Sequence, residues 1–191
     1  MPTFTVVAGA NGCGKTTLTR WAREEFQENP VLDPDAIARS LQSTGANTGS
    51  AIDAGREVLL MAERLLASGQ SFTVETTLSG HTYLRMMTRA KVQGYLVVLI
   101  YIGTTDVSIN LQRVRSRVAK GGHDVPDEDQ RRRYPRSLAN AAEALAIADE
   151  AVILDNSTSD GFVKVAVKRI NGIELFESVP AWASFLRNQM S

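Results

Sequence analysis

A chain of 191 residues, 43% apolar and 22% charged, is long enough to bury a core without disulfides or a structural metal. Its 21 basic side chains balance 21 acidic ones, which argues against a general nucleic-acid or membrane-surface binder, whose affinity comes from excess positive charge. The single cysteine, Cys13, excludes an internal disulfide framework and a multi-cysteine metal site.

Residues 3–8, "TFTVVA", are β-branched and bounded by glycine, as a buried strand should be. A helix is expected from Lys15 to about Gln27, with Leu18, Trp21, Ala22 and Phe26 along its apolar side. "VLD" at 31–33 reads as a short strand, followed by a short helix from about Asp35 and a turn-rich loop at 42–50. An amphipathic helix follows over about 52–68, then the strand "SFTVE" at 71–75 and a helix over about 80–93. "YLVVLIYI" at 95–102 is apolar on both faces, the mark of a central parallel strand. Val107, Leu111, Val114 and Val118 form a helical stripe. After "GGHDVP" the pattern predicts more helix, broken or bent near Pro135, and a strand at 151–155. The tail "FVKVAVKRINGIELFE" alternates and pivots on Asn171-Gly172, which predicts a hairpin with a type I′ turn. A last helix is expected at about 180–189.

Strand and helix alternate through residue 155, so the expected fold is α/β. It is a P-loop NTPase-type parallel sheet with helices on both faces, plus the C-terminal antiparallel hairpin. One domain over 1–191 is expected. The start "MPTFTVVAG" lacks the basic-then-apolar order of a signal peptide, and "LVVLIYI" is too short to span a bilayer. The expected location is cytoplasmic, with neither membrane nor nucleic acid as a partner.

Residues 9–16, "GANGCGKT", match the phosphate-binding pattern G-x-x-x-x-G-K-[ST], between a strand and a helix. Glycines let successive backbone N–H groups converge on an anion, and the helix presents its positive end to the same point. Asn11, Gly12, Cys13, Gly14, Lys15, Thr16 and Thr17 are therefore the expected nucleotide-binding residues. Lys15 supplies mobile positive charge for the phosphates, and the Thr16 hydroxyl is the expected Mg²⁺ ligand. ATP and Mg²⁺ are the expected cofactors.

Polar residues end the neighbouring strands, where open α/β sheets hold ligands. "LDPDAIAR" presents Asp33 and Asp35 with Arg39 a turn on, and "VETTLSGH" presents Glu75, Thr76, Thr77 and His81. Phosphoryl transfer to an alcohol needs positioning, charge neutralisation and a proton acceptor. Asp35 is the candidate base. Glu75 is the candidate for orienting substrate or a metal-bound water, with Arg39, Thr76, Thr77 and His81 beside it on the substrate side. Between residues 113 and 136 lie Arg113, Arg115 and Arg117, then Arg131, Arg132, Arg133 and Arg136, separated by "KGGHDVPDED". This predicts a helical lid that closes arginines on the transferring phosphate, with Arg117 and Arg133 as its catalytic candidates. His123 either contacts phosphate or closes the turn. No N-K-x-D guanine-reading motif occurs, so a switch GTPase is not expected.

The elements "VVAGANGCGKTT", "LDPDAIAR", "FTVETTLSG" and "RVRSRVAKGGHDVPDEDQRRRYPRS" together resemble the zeta-toxin-like P-loop kinases in their compact bacterial form. The resemblance implies an ATP- and Mg²⁺-dependent kinase in which Asp35 deprotonates the acceptor hydroxyl and Glu75 lies on the substrate side. It also implies an acceptor such as UDP-N-acetylglucosamine and a small antitoxin as partner. The alternatives are a kinase for another metabolite or nucleoside without toxic role, and a regulatory P-loop ATPase switch.

Overall fold

The computed structural model describes residues 1–22, 29–34, 36–37, 51–176 and 179–189. Seven strands form one sheet: β1 (Thr3–Ala8), β2 (Val31–Leu32), β3 (Phe72–Thr76), β4 (Leu96–Gly103), β5 (Glu150–Asp155), β6 (Val163–Arg169) and β7 (Gly172–Leu175). Their spatial order is β2-β3-β1-β4-β5-β6-β7. The first five run parallel, and β6 and β7 add antiparallel at one edge. The helices are α1 (Lys15–Trp21), α2 (Ala51–Ala67), α3 (Thr82–Val92), α4 (Val107–Val118) and α5 (Asp127–Ile147), with a kinked 3-10 helix at Ala181–Gln189.

Because side chains alternate along each strand, the sheet makes two separate apolar layers. On one face Phe4, Val6, Phe72, Val74, Val97, Leu99, Tyr101 and Ile153 pack under α2, α3, α5 and the 3-10 helix. Phe4 and Phe72 stack there with ring centroids 4.5 Å apart. Burying one such side chain contributes about 1.5–3 kcal/mol. The opposite face carries a smaller cluster, Val7, Ile102 and Leu154 beneath Leu18 of α1 and Cys13. β1 is the middle strand of the five parallel ones, and the loop that leaves it is framed by β3 on one side and β4 on the other.

Local chemistry sets the helix ends. Asp106 caps α4, its carboxylate accepting from the Ser108 backbone N–H at 2.6 Å. Asp127, Glu128 and Asp129 occupy the first turn of α5, where negative charge complements the helix dipole. At its other end Lys168 donates to the Leu145 and Ala148 carbonyls at 2.7 and 2.6 Å, and Lys91 to Ile147 at 2.8 Å.

Several expectations need correction. α5 runs through Pro135 without a break. The hairpin register pairs Arg169 with Gly172, so Ile170 and Asn171 form the turn, one residue earlier than expected. Neither has a positive φ, which rules out type I′; Gly172 takes the positive φ of 125° instead. Trp21, placed on the apolar side of α1, is 81% exposed. The expected continuation of α1 to Gln27, the helix from Asp35 and the 42–50 loop lie outside the described residues.

Candidate active site

The loop after β1 lies in a cleft of about 1410 Å³ at the carboxyl ends of the parallel strands. Its floor is the loop itself: Asn11, Gly12, Gly14, Lys15, Thr16 and Thr17 all line it. Gly14 begins α1 with φ 108°, and a Cβ there would stand 2.6 Å from Asn156 Nδ2. A side chain at that point would both strain the backbone and push the neighbouring loop away. The Lys15 ammonium donates to the Gly9 and Ala10 carbonyls at 2.8 and 3.1 Å, so its charge is held at the loop's mouth.

Glu75, the penultimate residue of β3 beside β1, reaches under the first turn of α1. Its Oε2 accepts from the Thr16 hydroxyl at 2.8 Å and its Oε1 from the Thr19 hydroxyl at 2.5 Å. The side chain is buried, and burial raises its carboxyl above the ordinary glutamate range, with Asp33 adding to the rise. The two threonine bonds and the Lys15 charge oppose the shift without cancelling it. Asp33 is buried and lines the same cleft.

These donors suit a hard divalent cation riding on a polyphosphate. A hydroxyl and a carboxylate supply oxygen ligands, as Mg²⁺ prefers, and Mg²⁺ keeps most of its shell as water and phosphate oxygen. In keeping with that, no group of three or more His, Cys, Asp or Glu residues able to hold a metal occurs among the described residues.

Beyond Glu75, Thr76 and Thr77 line the cleft with Ser79 and Gly80. Leu78 is buried at φ 54°, its N–H donating to Thr76 Oγ1 at 3.0 Å and its carbonyl accepting from Asn140 Nδ2 of α5 at 2.8 Å. That kink turns the loop so that Thr77 and Ser79, 3.0 Å apart at their hydroxyls, share one side.

The arginines sort into different roles. Arg117 and Arg133 line the cleft. Arg117 donates to the His123 carbonyl at 2.7 Å, His123 itself also lines the cleft, and Arg133 pairs with Asp129 at 3.2 Å. Arg113 lines the cleft too, but spans the Asn156 and Thr158 carbonyls at 2.7 and 3.1 Å. Arg115 pairs with Asp127 and Arg132 with Asp129. Arg131 and Arg136 are exposed outside the cleft lining.

Other predicted residues fall elsewhere. His81 is exposed where α3 begins and does not line the cleft. Cys13 is buried in the smaller core, its N–H donating to the Ala10 carbonyl at 3.2 Å. Burial pushes its thiol pKa up, away from a reactive thiolate. Asp35 and Arg39 lie outside the described residues. None of the expected site residues lies after β5, yet Asn156, Thr158, Ser159 and Gly161 line the cleft, and Asn156 Nδ2 donates to the Cys13 carbonyl at 2.8 Å.

Comparison with known proteins agrees with this geometry. An uncharacterized protein of Haemophilus influenzae is 36% identical over 126 residues, 66% of this chain and 88% of that one. Among solved structures, the PezAT chromosomal toxin-antitoxin system of Streptococcus pneumoniae superposes with a TM-score of 0.60 at 22% identity, covering 85% of this chain and 70% of that one. The AvrRxo1-ORF1:AvrRxo1-ORF2 complex with sulphate ions gives a TM-score of 0.71 at 18% identity, and the same complex with ATP gives 0.63 at 18%. All of this chain is covered in both, but it spans only 63% and 64% of those chains, less than two thirds of their length. The Zeta toxin family matches residues 1–176. This chain belongs to the Zeta toxin family.

Proposed function

We propose that the chain transfers the γ-phosphoryl group of ATP to a hydroxyl of a small molecule, with a UDP-activated amino sugar as the acceptor class. The observation that carries this reading is the Glu75 carboxylate bound to the Thr16 hydroxyl at 2.8 Å beneath the phosphate loop. The same cleft continues past Thr77 and Ser79, which leaves room for an acceptor next to the phosphates. Lys15 and the loop amides hold the triphosphate. Thr16 and Glu75 would hold Mg²⁺, which would supply positive charge to neutralise the β- and γ-phosphates. Asp35 accepts the hydroxyl proton as the acceptor oxygen bonds to the γ-phosphorus and the bond to the β-phosphate oxygen breaks, releasing ADP. Arg117 and Arg133 stabilise the spreading charge.

Arginines within the chain favour transfer over a regulatory switch, because a switch typically receives its arginine from a partner. A small antitoxin is the protein partner this reading implies, in line with the family and with the PezAT system. The test is incubation with γ-labelled ATP, Mg²⁺ and UDP-N-acetylglucosamine, alone and within a pool of cell metabolites. Label on the nucleotide sugar supports the full reading. Label on another metabolite reassigns the acceptor, and free phosphate alone rejects the kinase. Asp35→Asn keeps ATP binding and lowers transfer about 10²- to 10⁴-fold, whereas Lys15→Ala loses both.

A further inference from the structure

The family match ends at residue 176, and Trp182 lies beyond it in the 3-10 helix. This side chain nevertheless reaches the nucleotide cleft through a chain of contacts. Its Nε1 donates to Asp155 Oδ2 at 2.9 Å, and its ring lies flat on Gly103, where a Cβ would stand 2.4 Å from the ring carbons. Asp155 is the last residue of β5. Its other oxygen accepts from the Ser157 N–H at 2.6 Å, and Ser157 Oγ accepts from the Thr105 N–H at 2.9 Å. Asn156, between them, donates its backbone N–H to the Gly103 carbonyl at 2.9 Å and its side-chain amide to the Cys13 carbonyl of the phosphate loop. Arg113 of α4 holds the same segment from above through the Asn156 and Thr158 carbonyls.

The strand order fixes what this segment faces. Glu75 near the end of β3, with Thr77 and Ser79 after it, lies on one side of β1, and residues 156–161 follow β5 on the other. With the phosphates on the loop between them and the acceptor on the β3 side, the nucleoside end of the nucleotide meets 156–161. We propose that Trp182 is a positioning residue for nucleotide binding: through Asp155 it sets the 156–161 segment against the phosphate loop and so governs affinity for the nucleoside part of ATP. The proposal rests on ATP being the ligand of this cleft. Without the indole N–H, the carboxylate of Asp155 keeps one partner, and the segment must be ordered when the nucleotide arrives, which costs affinity.

Inorganic tripolyphosphate provides the control, because it occupies the phosphate loop and has no nucleoside. The dissociation constants of Mg-ATP and Mg-tripolyphosphate are measured by calorimetry on the full chain. Trp182→Phe, which keeps the aromatic packing on Tyr101 and loses the donor, is expected to weaken Mg-ATP about tenfold. Mg-tripolyphosphate should stay within about twofold. Asp155→Asn gives the same split, and the double variant is no weaker than either single one, because both remove one coupled contact. Equal weakening of the two ligands, unchanged ATP affinity or additive losses each overturn the proposal. If Trp182→Phe fails to fold, Asp155→Asn decides alone, since it leaves the core aromatics in place. A parent chain that binds neither ligand overturns the nucleotide reading itself, and this shows before any variant is made.

Discussion

Glu75 combines two demands that oppose each other. It is a buried carboxylate beneath the phosphate loop, where the proposed chemistry uses its charge, yet burial makes that charge unfavourable in the protein alone. In the unfolded chain the glutamate loses its proton near its ordinary value, while the folded protein keeps it to higher pH. Across that interval the folded state binds more protons, so stability falls as pH rises from the ordinary value through the raised one, then levels off. Glu75→Gln removes this dependence. Without nucleotide, its melting temperature should lie closest to the parent's at low pH and exceed it by a growing margin as pH rises through the raised value. The same variant should lower the phosphoryl-transfer rate at least about 10²-fold, because the carboxylate is lost from the metal side of the site. Thermal melts across pH, run beside the kinase assay, check both. A melting gap that does not change with pH would show that the charge is not what burial penalises.

At the scale of elements, the loop after β3 has its shape imposed from outside. Leu78 is not a glycine, yet it adopts φ 54°, a conformation that a leucine holds only when its surroundings fix it. Asn140 of α5 and the Thr76 hydroxyl supply that constraint, 62 and 2 residues away in sequence. Asn140→Ala should therefore cost about 1–2 kcal/mol in denaturant unfolding. It should also raise KM for the acceptor several-fold with KM for ATP unchanged, because the loop lies on the acceptor side. Equal changes in both would mean that the helix, rather than the loop, has moved. The sequence revealed this loop's residue types but not its kink, since nothing in "ETTLSG" foretells a left-handed leucine. Patterning was informative where an element is long and periodic, as in β4 and α5. It allowed a break at Pro135, where α5 continues unbroken because the proline's fixed φ fits a helix. It also misplaced the hairpin turn by one residue, because register is decided by pairing across β6 and β7 rather than by the Asn-Gly pair itself.

The whole molecule makes the phosphate loop legible and its neighbours not. "GANGCGKT" is contiguous, whereas the Asn156 contact to Cys13 joins residues 143 apart and depends on the strand order. That order also leaves the two faces unequally supported. The face under α2, α3 and α5 holds the large core, while the loop and α1 rest on Val7, Cys13, Leu18, Ile102 and Leu154. Regions with few buried apolar contacts open at lower free energy than the global transition, so the nucleotide side is expected to exchange its amide hydrogens first. A ligand bound only by the folded state adds RT ln(1 + [L]/Kd), about 2.7 kcal/mol at a hundredfold excess over Kd. In a chain of this size that corresponds to a rise in melting temperature of roughly 5–11 °C. Mg-ATP should place most of its added protection in residues 9–19 and 156–162, where the loop, Glu75's threonine partners and the Asn156 segment meet. The β6–β7 hairpin, at the far edge of the sheet, should change little. Hydrogen exchange read by mass spectrometry, with and without Mg-ATP, distinguishes this from a uniform gain. A uniform gain would mean that the nucleotide stabilises the sheet as one unit and that the smaller core is no weaker than the larger.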